Sequence, residues 1–264
     1  MQAESESVTP NSTKEEVDGM PTHRVSTAGH GNEFIILGNR KYYRHELMTA
    51  FAGNFNPERY APYPVHQFGN ASALSLSGFG ISAFCLGLYY AGAMGIKTSA
   101  VAVSLCVMYG GLVQLLGGVW ELAIGNSFAG CAFTSFGAFW IATGCTSIPA
   151  FGIAAAYADD PAMFANAQGF YLLGWMIFSF LLLMLVLKAT WPFVALLTSL
   201  TTTFAVLAAA NFTGKPNVLT AGGVICVITA FFGWYCAWAG VANKQNSYFT
   251  PLDLTVPIFG KSVS

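Results

Sequence analysis

From residue 71 onward the chain is a succession of apolar stretches about 20 residues long, separated by short polar or glycine-containing breaks. A hydrocarbon core about 30 Å thick is crossed by roughly 20 helical residues, and backbone polar groups inside it must be satisfied within the segment. Six stretches, near 71–91, 99–119, 128–149, 167–187, 190–210 and 219–241, are therefore expected to be transmembrane helices. The chain is 55% hydrophobic and only 9% charged, against about a quarter charged in a soluble domain. The expected fold class is an all-α membrane protein with six transmembrane helices.

Six spans return both termini to one side. Lys14, Arg24, Arg40, Lys41, Arg44 and Arg59 precede the first span, Lys188 lies between the fourth and fifth, and Lys244 and Lys261 follow the sixth. Only Lys97 and Lys215 fall on the other side. Basic residues stay preferentially in the cytosol, so both termini are expected there, with the longest connection, "AFGIAAAYADDPAMFANA", outside. Residues 1–31 are polar and rich in Ser and Thr and read as a disordered cytosolic tail without the apolar core of a signal peptide. Residues 32–70 contain "EFIILGNRKYYRHELMTAF", a short strand or turn followed by an amphipathic helix, and read as a cytosolic or interfacial segment ahead of the first span. Residues 71–241 form the six-helix transmembrane domain and 242–264 a cytosolic C-terminal tail.

Several chemistries are excluded. Eight of the twelve acidic residues lie before residue 60, and no basic or acidic face suggests nucleic acid. The six cysteines fall in apolar stretches and are expected to be free thiols acting as small hydrophobes. All four histidines precede residue 70, so neither a metal site nor a histidine proton relay is expected in the membrane. No nucleotide-binding loop or nucleophile-base pair is present, no cofactor is expected, and the extramembrane parts are too small for an ATP-driven motor. Transport by a passive or ion-coupled route is favoured over an enzyme. A non-transporting membrane sensor, with the Ser/Thr-rich tail as its working part, is the reading from another class.

Polar residues inside the spans are the candidate site. In "SLCVMYGGLVQLLGGVWELAIGN" Gly110, Gly111, Gly117 and Gly118 share a helical face with Gln114 and Glu121. Small residues let helices approach, and polar neighbours hydrogen-bond across the contact. Glu121 is either a functional carboxylate or a wet or capping group at the cytosolic end. In the first span Ser72, Ser75, Phe79, Ser82 and Leu86 are spaced three, four, three and four, one stripe that either lines a polar path with an apolar constriction or packs helices. Thr134, Ser135 and Phe136 in the third span, and Leu200 with Thr203 in the fifth, repeat that pairing of hydroxyls with an apolar group. Trp140, Trp191, Trp234 and Trp238 fit the aromatic belts of a membrane interface.

"YGGLVQLLGGVWELAIGNSFAGCAFTSFGAFW", "GFYLLGW" followed by Lys188, "AGGV" and "NSY" resemble the acetate uptake transporter family, which includes bacterial succinate-acetate permeases and fungal acetate and ammonia-export proteins. The resemblance runs from about residue 32 to 250, and "NEFIILGNRKYYRHELMTAF" resembles the fungal branch, which implies the plasma membrane. It further implies a hexameric ring with a separate path through each protomer, and uptake of acetate and other small monocarboxylates with protons. Ammonium export is the alternative it carries. The family's aromatic-aromatic-leucine constriction falls on Phe79, Phe136 and Leu200, with Phe136 where tyrosine is usual. The family signature N-P-x-P-L-G-L stands here as "NASALSL". Asn70 still caps the helix, but both prolines are alanine (Ala71 and Ala73) and Ser75 replaces glycine, which implies a looser helix start and a hydroxyl beside the constriction. The path residues expected alongside the constriction are Asn70, Ser72, Ser75, Ser82, Gln114, Glu121, Thr134, Ser135 and Thr203.

Overall fold

The computed structural model describes residues 15–17, 20–22, 25–29, 31–37, 39–50, 68–252 and 254–257. Its contacts divide the chain into two units, Met1–Gln67 and Phe68–Ser264.

In the first unit β1 (Glu15–Val17) pairs antiparallel with β2 (Met20–Thr22), and β3 (Ser26–Ala28), β4 (Phe34–Leu37) and β5 (Arg40–Tyr43) form a second antiparallel sheet. Part of the segment read as a disordered tail thus carries short strands, while residues 1–14 lie outside the described residues. The expected strand-then-helix order appears as β4, β5 and the short helix Arg44–Ala50. Across the β4–β5 pair the Lys41 ammonium sits 3.6 Å above the Phe34 ring, a cation–π contact.

The second unit contains six helices long and apolar enough to cross a membrane, and each starts where local chemistry dictates. The first, Ala71–Tyr90, is capped by Asn70, whose side chain accepts the Ala73 N–H at 3.1 Å. The second, Ala102–Ala123, is interrupted at Met108–Val113 by a wide π-turn. The third, Ser127–Ser147, is capped by Asn126. The fourth, Pro161–Leu185, is capped by Asp160 with proline in its first turn, six residues earlier than the hydropathy boundary at 167. The fifth, Trp191–Thr213, and the sixth, Pro216–Val241, also carry proline in their first turns.

Close helix crossings use glycine. A Cβ on Gly223 of the sixth span would stand 2.5 Å from the Ala91 nitrogen and 2.6 Å from the Gly87 oxygen of the first. A Cβ on Gly78 would stand 2.5 Å from the Tyr109 carbonyl oxygen inside the π-turn. Along the second span Gly110, Gly111, Gln114, Gly117, Gly118 and Glu121 are buried, the face the spacing predicts. It is wedged between neighbours: Gly117 against Ser75 of the first span, Gly118 against Thr134 of the third.

The core is aromatic. Phe139 packs on Phe204 at 5.0 Å and on Trp140 at 5.3 Å between ring centroids, and stacks on Tyr171 at 5.8 Å. Trp140, expected in an interface belt, is only 3% exposed and belongs to this core; Trp191 is 56% exposed, as a belt residue should be. The reason lies in its neighbours: helical spacing puts Trp140 one turn past Phe136 on the inward stripe of the third span. The described cysteines form no disulfide, and Cys131 is exposed while Cys106 and Cys226 are buried.

The C-terminal segment folds back rather than trailing as a free tail. Trp191 donates its N–H to the Leu254 oxygen at 2.8 Å, Val256 donates to the Ala189 oxygen at 2.9 Å, and Thr190 pairs antiparallel with Thr255.

Candidate functional site

Cavities follow one another along the six-helix unit, from the end where the first span begins and the sixth ends to the opposite end. At the first of these ends a cavity of about 210 Å³ lies between the first, fifth and sixth spans and is lined also by Leu252 and Leu254 of the C-terminal strap. It shares Leu76 and Phe193 with a much narrower cavity of about 20 Å³, whose wall includes Phe79, Gln114, Phe136 and Leu200. A water needs roughly 10–15 Å³ measured this way, so this neck holds little more than one. One turn further along the third span, Phe139 borders a chamber of about 280 Å³ with a polar wall of Thr143, Thr146, Gln168, Tyr171 and Asn211. That chamber shares Asn211 and Leu219 with a cavity beside Lys215 at the far end.

The neck is narrow and apolar because of what surrounds it. Phe79 is 4% exposed, lies 6.3 Å from Trp140 between ring centroids and leans on Gly233, where a Cβ would come within 3.0 Å of the ring. Phe136 is held by Phe204, Trp175 and Phe178 at 6.5, 5.9 and 5.7 Å. Phe204 stacks on Phe136 of the neck and meets Phe139 of the chamber edge-on, so packed rings lie between the two cavities.

The remaining sequence-derived candidates sort by contact. Phe79, Phe136, Leu200 and Gln114 come together on the neck. Asn70 caps the first span and donates its Nδ2 to the Gly240 oxygen at 2.8 Å, tying the first span to the end of the sixth. Ser72 donates to Glu121 Oε1 at 2.7 Å and Asn126 Nδ2 donates to Glu121 Oε2 at 2.8 Å. The Glu121 carboxylate, 2% exposed, is thus engaged by its neighbours and is not wet. It joins three elements: the first span, the second span and the cap of the third.

Ser75 is fully buried, 3.4 Å from the Gln114 backbone oxygen, and faces Gly117 rather than the cavity. Ser82 lies against Gly110 with its hydroxyl unpartnered, and Thr134 against Gly118 likewise. Ser135 faces the fourth span beside Tyr171 and Trp175. Thr203 donates to the Ser199 oxygen at 2.8 Å and meets Thr229 of the sixth span at 3.2 Å. Most of the stripe hydroxyls therefore sit at helix crossings. A direct expectation follows for Ser75→Gly: acid selectivity stays as in the parent protein, because the side chain touches the second span and not the neck. A changed acetate-to-propionate flux ratio would contradict this placement.

Residues that sequence reasoning passed over complete the walls. Phe193 and Leu196 line the neck from the fifth span beside the expected Leu200, and Leu207 and Asn211 continue to the far chamber. Their spacing of three and four residues was the available signal, hidden because almost every residue around them is also apolar. The strap gives a second expectation. In a chain ending at Phe249, and with Cys236 as its only cysteine, a water-soluble maleimide should label Cys236 faster than in the full-length protein, since Leu252 and Leu254 no longer cover that cavity. An unchanged labelling rate would show that the strap does not close it.

Comparison with known proteins places the fold. The model of the GPR1/FUN34/yaaH family matches residues 51–258. "Ammonia transport outward protein 2" of Saccharomyces cerevisiae is 47% identical over 234 residues, covering 89% of this chain and 83% of that protein. "Acetate permease A" of Emericella nidulans is 37% identical over 216 residues, 78% of this chain and 72% of that one. Among solved structures, the bacterial acetate channel SatP superposes with a TM-score of 0.61 at 30% identity, over 68% of this chain and 96% of its own. With the six helices, the matched span of more than two hundred residues and these relatives in agreement, the chain belongs to the GPR1/FUN34/yaaH family.

Proposed function

We propose that the protein is a transporter or channel that moves acetate and other small monocarboxylic acids through each protomer, with the Phe79, Phe136 and Leu200 neck as its selective constriction. The observation that carries the reading is the sequence of compartments: a polar chamber, a narrow, largely apolar neck of about 20 Å³ and a second chamber under the strap. A neck this small excludes bulk water and long acids, and the hydroxyls and amides of the far chamber replace part of the substrate's hydration before entry. Passage requires the side chains of the neck to give, so the structure corresponds to a closed arrangement. Relatives named as an acetate permease and an acetate channel support the substrate class.

Ammonium or ammonia export is the second reading, supported by the name of the 47% identical relative. A cation path calls for acidic lining, and Glu121, the one acidic residue among the six spans, is bound to Ser72 and Asn126 away from the neck. Carboxylic acid transport therefore ranks first. Nine Lys and Arg on the side of the termini against two opposite support cytosolic termini. Proton coupling, the plasma membrane and a ring of six copies rest on the family resemblance.

The test is uptake of labelled acetate, and separately of ammonium, into liposomes holding the purified protein. Acetate flux above that of empty vesicles supports the reading. Ammonium flux alone would establish the second, and no flux of either would leave the sensor.

A further inference from the structure

Among the described residues Gln114 is the one polar residue on the wall of the neck, and it is 1% exposed. Among the described residues its Oε1 has no hydrogen-bond partner, and the Ser75 hydroxyl reaches its backbone oxygen instead of its side chain. An unpaired amide is costly in such surroundings, where an apolar residue of the same size would pack freely. Gln114 occupies the first residue after the π-turn at Met108–Val113, and that turn sets its rotation toward the first, third and fifth spans.

A primary amide presents a donor and an acceptor side by side. A carboxylate offers acceptors only, so it satisfies the N–H and faces the amide oxygen with like charge. A protonated carboxylic acid offers an O–H and a C=O at matching separation and satisfies both amide groups at once. Among the described residues no charged group lines the neck to compensate an anion. Every other residue on the neck wall is Leu, Phe or Ala. The nearest carboxylate of the second span, Glu121, lies seven residues on and is bound by Ser72 and Asn126. Tyr235 and Cys236 of the sixth span border the neighbouring cavity rather than the neck.

We propose that the species crossing the neck is the neutral, protonated acid, held in transit by a paired hydrogen bond with the Gln114 side-chain amide, and that the carboxylate is excluded. The inference rests on the reading of the protein as a carboxylic acid transporter. The proton is taken from water in one chamber as the carboxylate becomes the acid, and is returned to water in the other. Each acid thus carries its own proton, and coupling to protons needs no relay residue. That agrees with four histidines all placed before residue 70.

The experiment uses the full chain in liposomes, with flux into empty vesicles subtracted, and three probes of similar size: acetate, acetamide, which is permanently neutral with the same donor and acceptor pair, and methanesulfonate, which is permanently anionic. At fixed total acetate the initial rate should fall about tenfold per pH unit above the acid's pKa, which lies near the carboxyl value of about 4.3. Acetamide should pass at a rate independent of pH, and methanesulfonate should not pass. Gln114→Leu should lower acetate and acetamide flux together by about tenfold, the worth of one net hydrogen bond. Passage of methanesulfonate, acetate flux unchanged between pH 6 and 7.5, or a folded Gln114→Leu with parental flux of both neutral species would each overturn the proposal. Complete absence of protein-dependent acetate flux would overturn the functional reading itself, and this inference with it.

Discussion

Phe79→Ala is expected to raise the flux of butyrate relative to acetate by tenfold or more. The ring closes one side of a cavity of only about 20 Å³ and is braced between Trp140 and Gly233, so its removal opens space at the narrowest part of the path. One extra methylene in a close-fitting apolar site changes selectivity by about 1–3 kcal/mol, which sets the size of the effect. The measurement is uptake of two- to four-carbon acids into liposomes, at a pH where all are compared at equal concentration of the neutral form. An unchanged ratio in a folded variant would remove Phe79 from the constriction. The same variant separates the two substrates proposed for the neck: widening should matter little for ammonia, which is smaller than any acid of the series.

Gly223→Val should abolish stable folding. At the crossing of the first and sixth spans the added Cβ meets only backbone, the Ala91 nitrogen and the Gly87 oxygen, so no side chain can rotate away and the helices must separate. Overpacking of a well-filled contact costs about 1–3 kcal/mol, and more when backbone must move. Helix association in a membrane depends on close packing of this kind and gains nothing from the hydrophobic effect between spans. The check is the thermal unfolding temperature and the size-exclusion profile in detergent, with Gly174→Ala as the control. A Cβ on Gly174 meets nothing within 4 Å, and alanine is the better helix former. Equal stability of Gly223→Val and the parent protein would contradict the crossing.

The spans were legible because lipid imposes a simple rule on length and hydropathy, yet their ends were set by finer chemistry. The hydropathy boundary at 167 missed six residues of the fourth span, although Asp160 followed by Pro161 is a written start signal. The buried face of the second span was readable from glycine, glutamine and glutamate at helical spacing, since small and polar residues in a membrane helix have few other uses. The serine stripe of the first span was equally visible, but periodicity names a face without naming what meets it. Ser72 and Ser75 meet Glu121, the Gln114 carbonyl and Gly117. Phe79, on the same stripe, meets the cavity.

The altered "NASALSL" start shows the same division. Asn70 holds the first span by its cap and by its bond to the Gly240 oxygen, so the lost prolines leave a helix end still fixed by tertiary contact. From its sequence alone this protein determined six apolar helices, their order, their caps and the polar face of the second, because these depend on local composition and period. Only the tertiary structure decided which of many similar apolar residues face one another. It turned Trp140 into the core, placed Gln114 Oε1 without a described partner on a narrow apolar neck, and laid the C-terminal strap beside a cavity that shares Leu76 and Phe193 with the neck. The physical reason is that a membrane span is apolar on every side. Hydropathy then carries little information about direction, and the inward face is chosen by the fit of glycine against backbone and ring against ring.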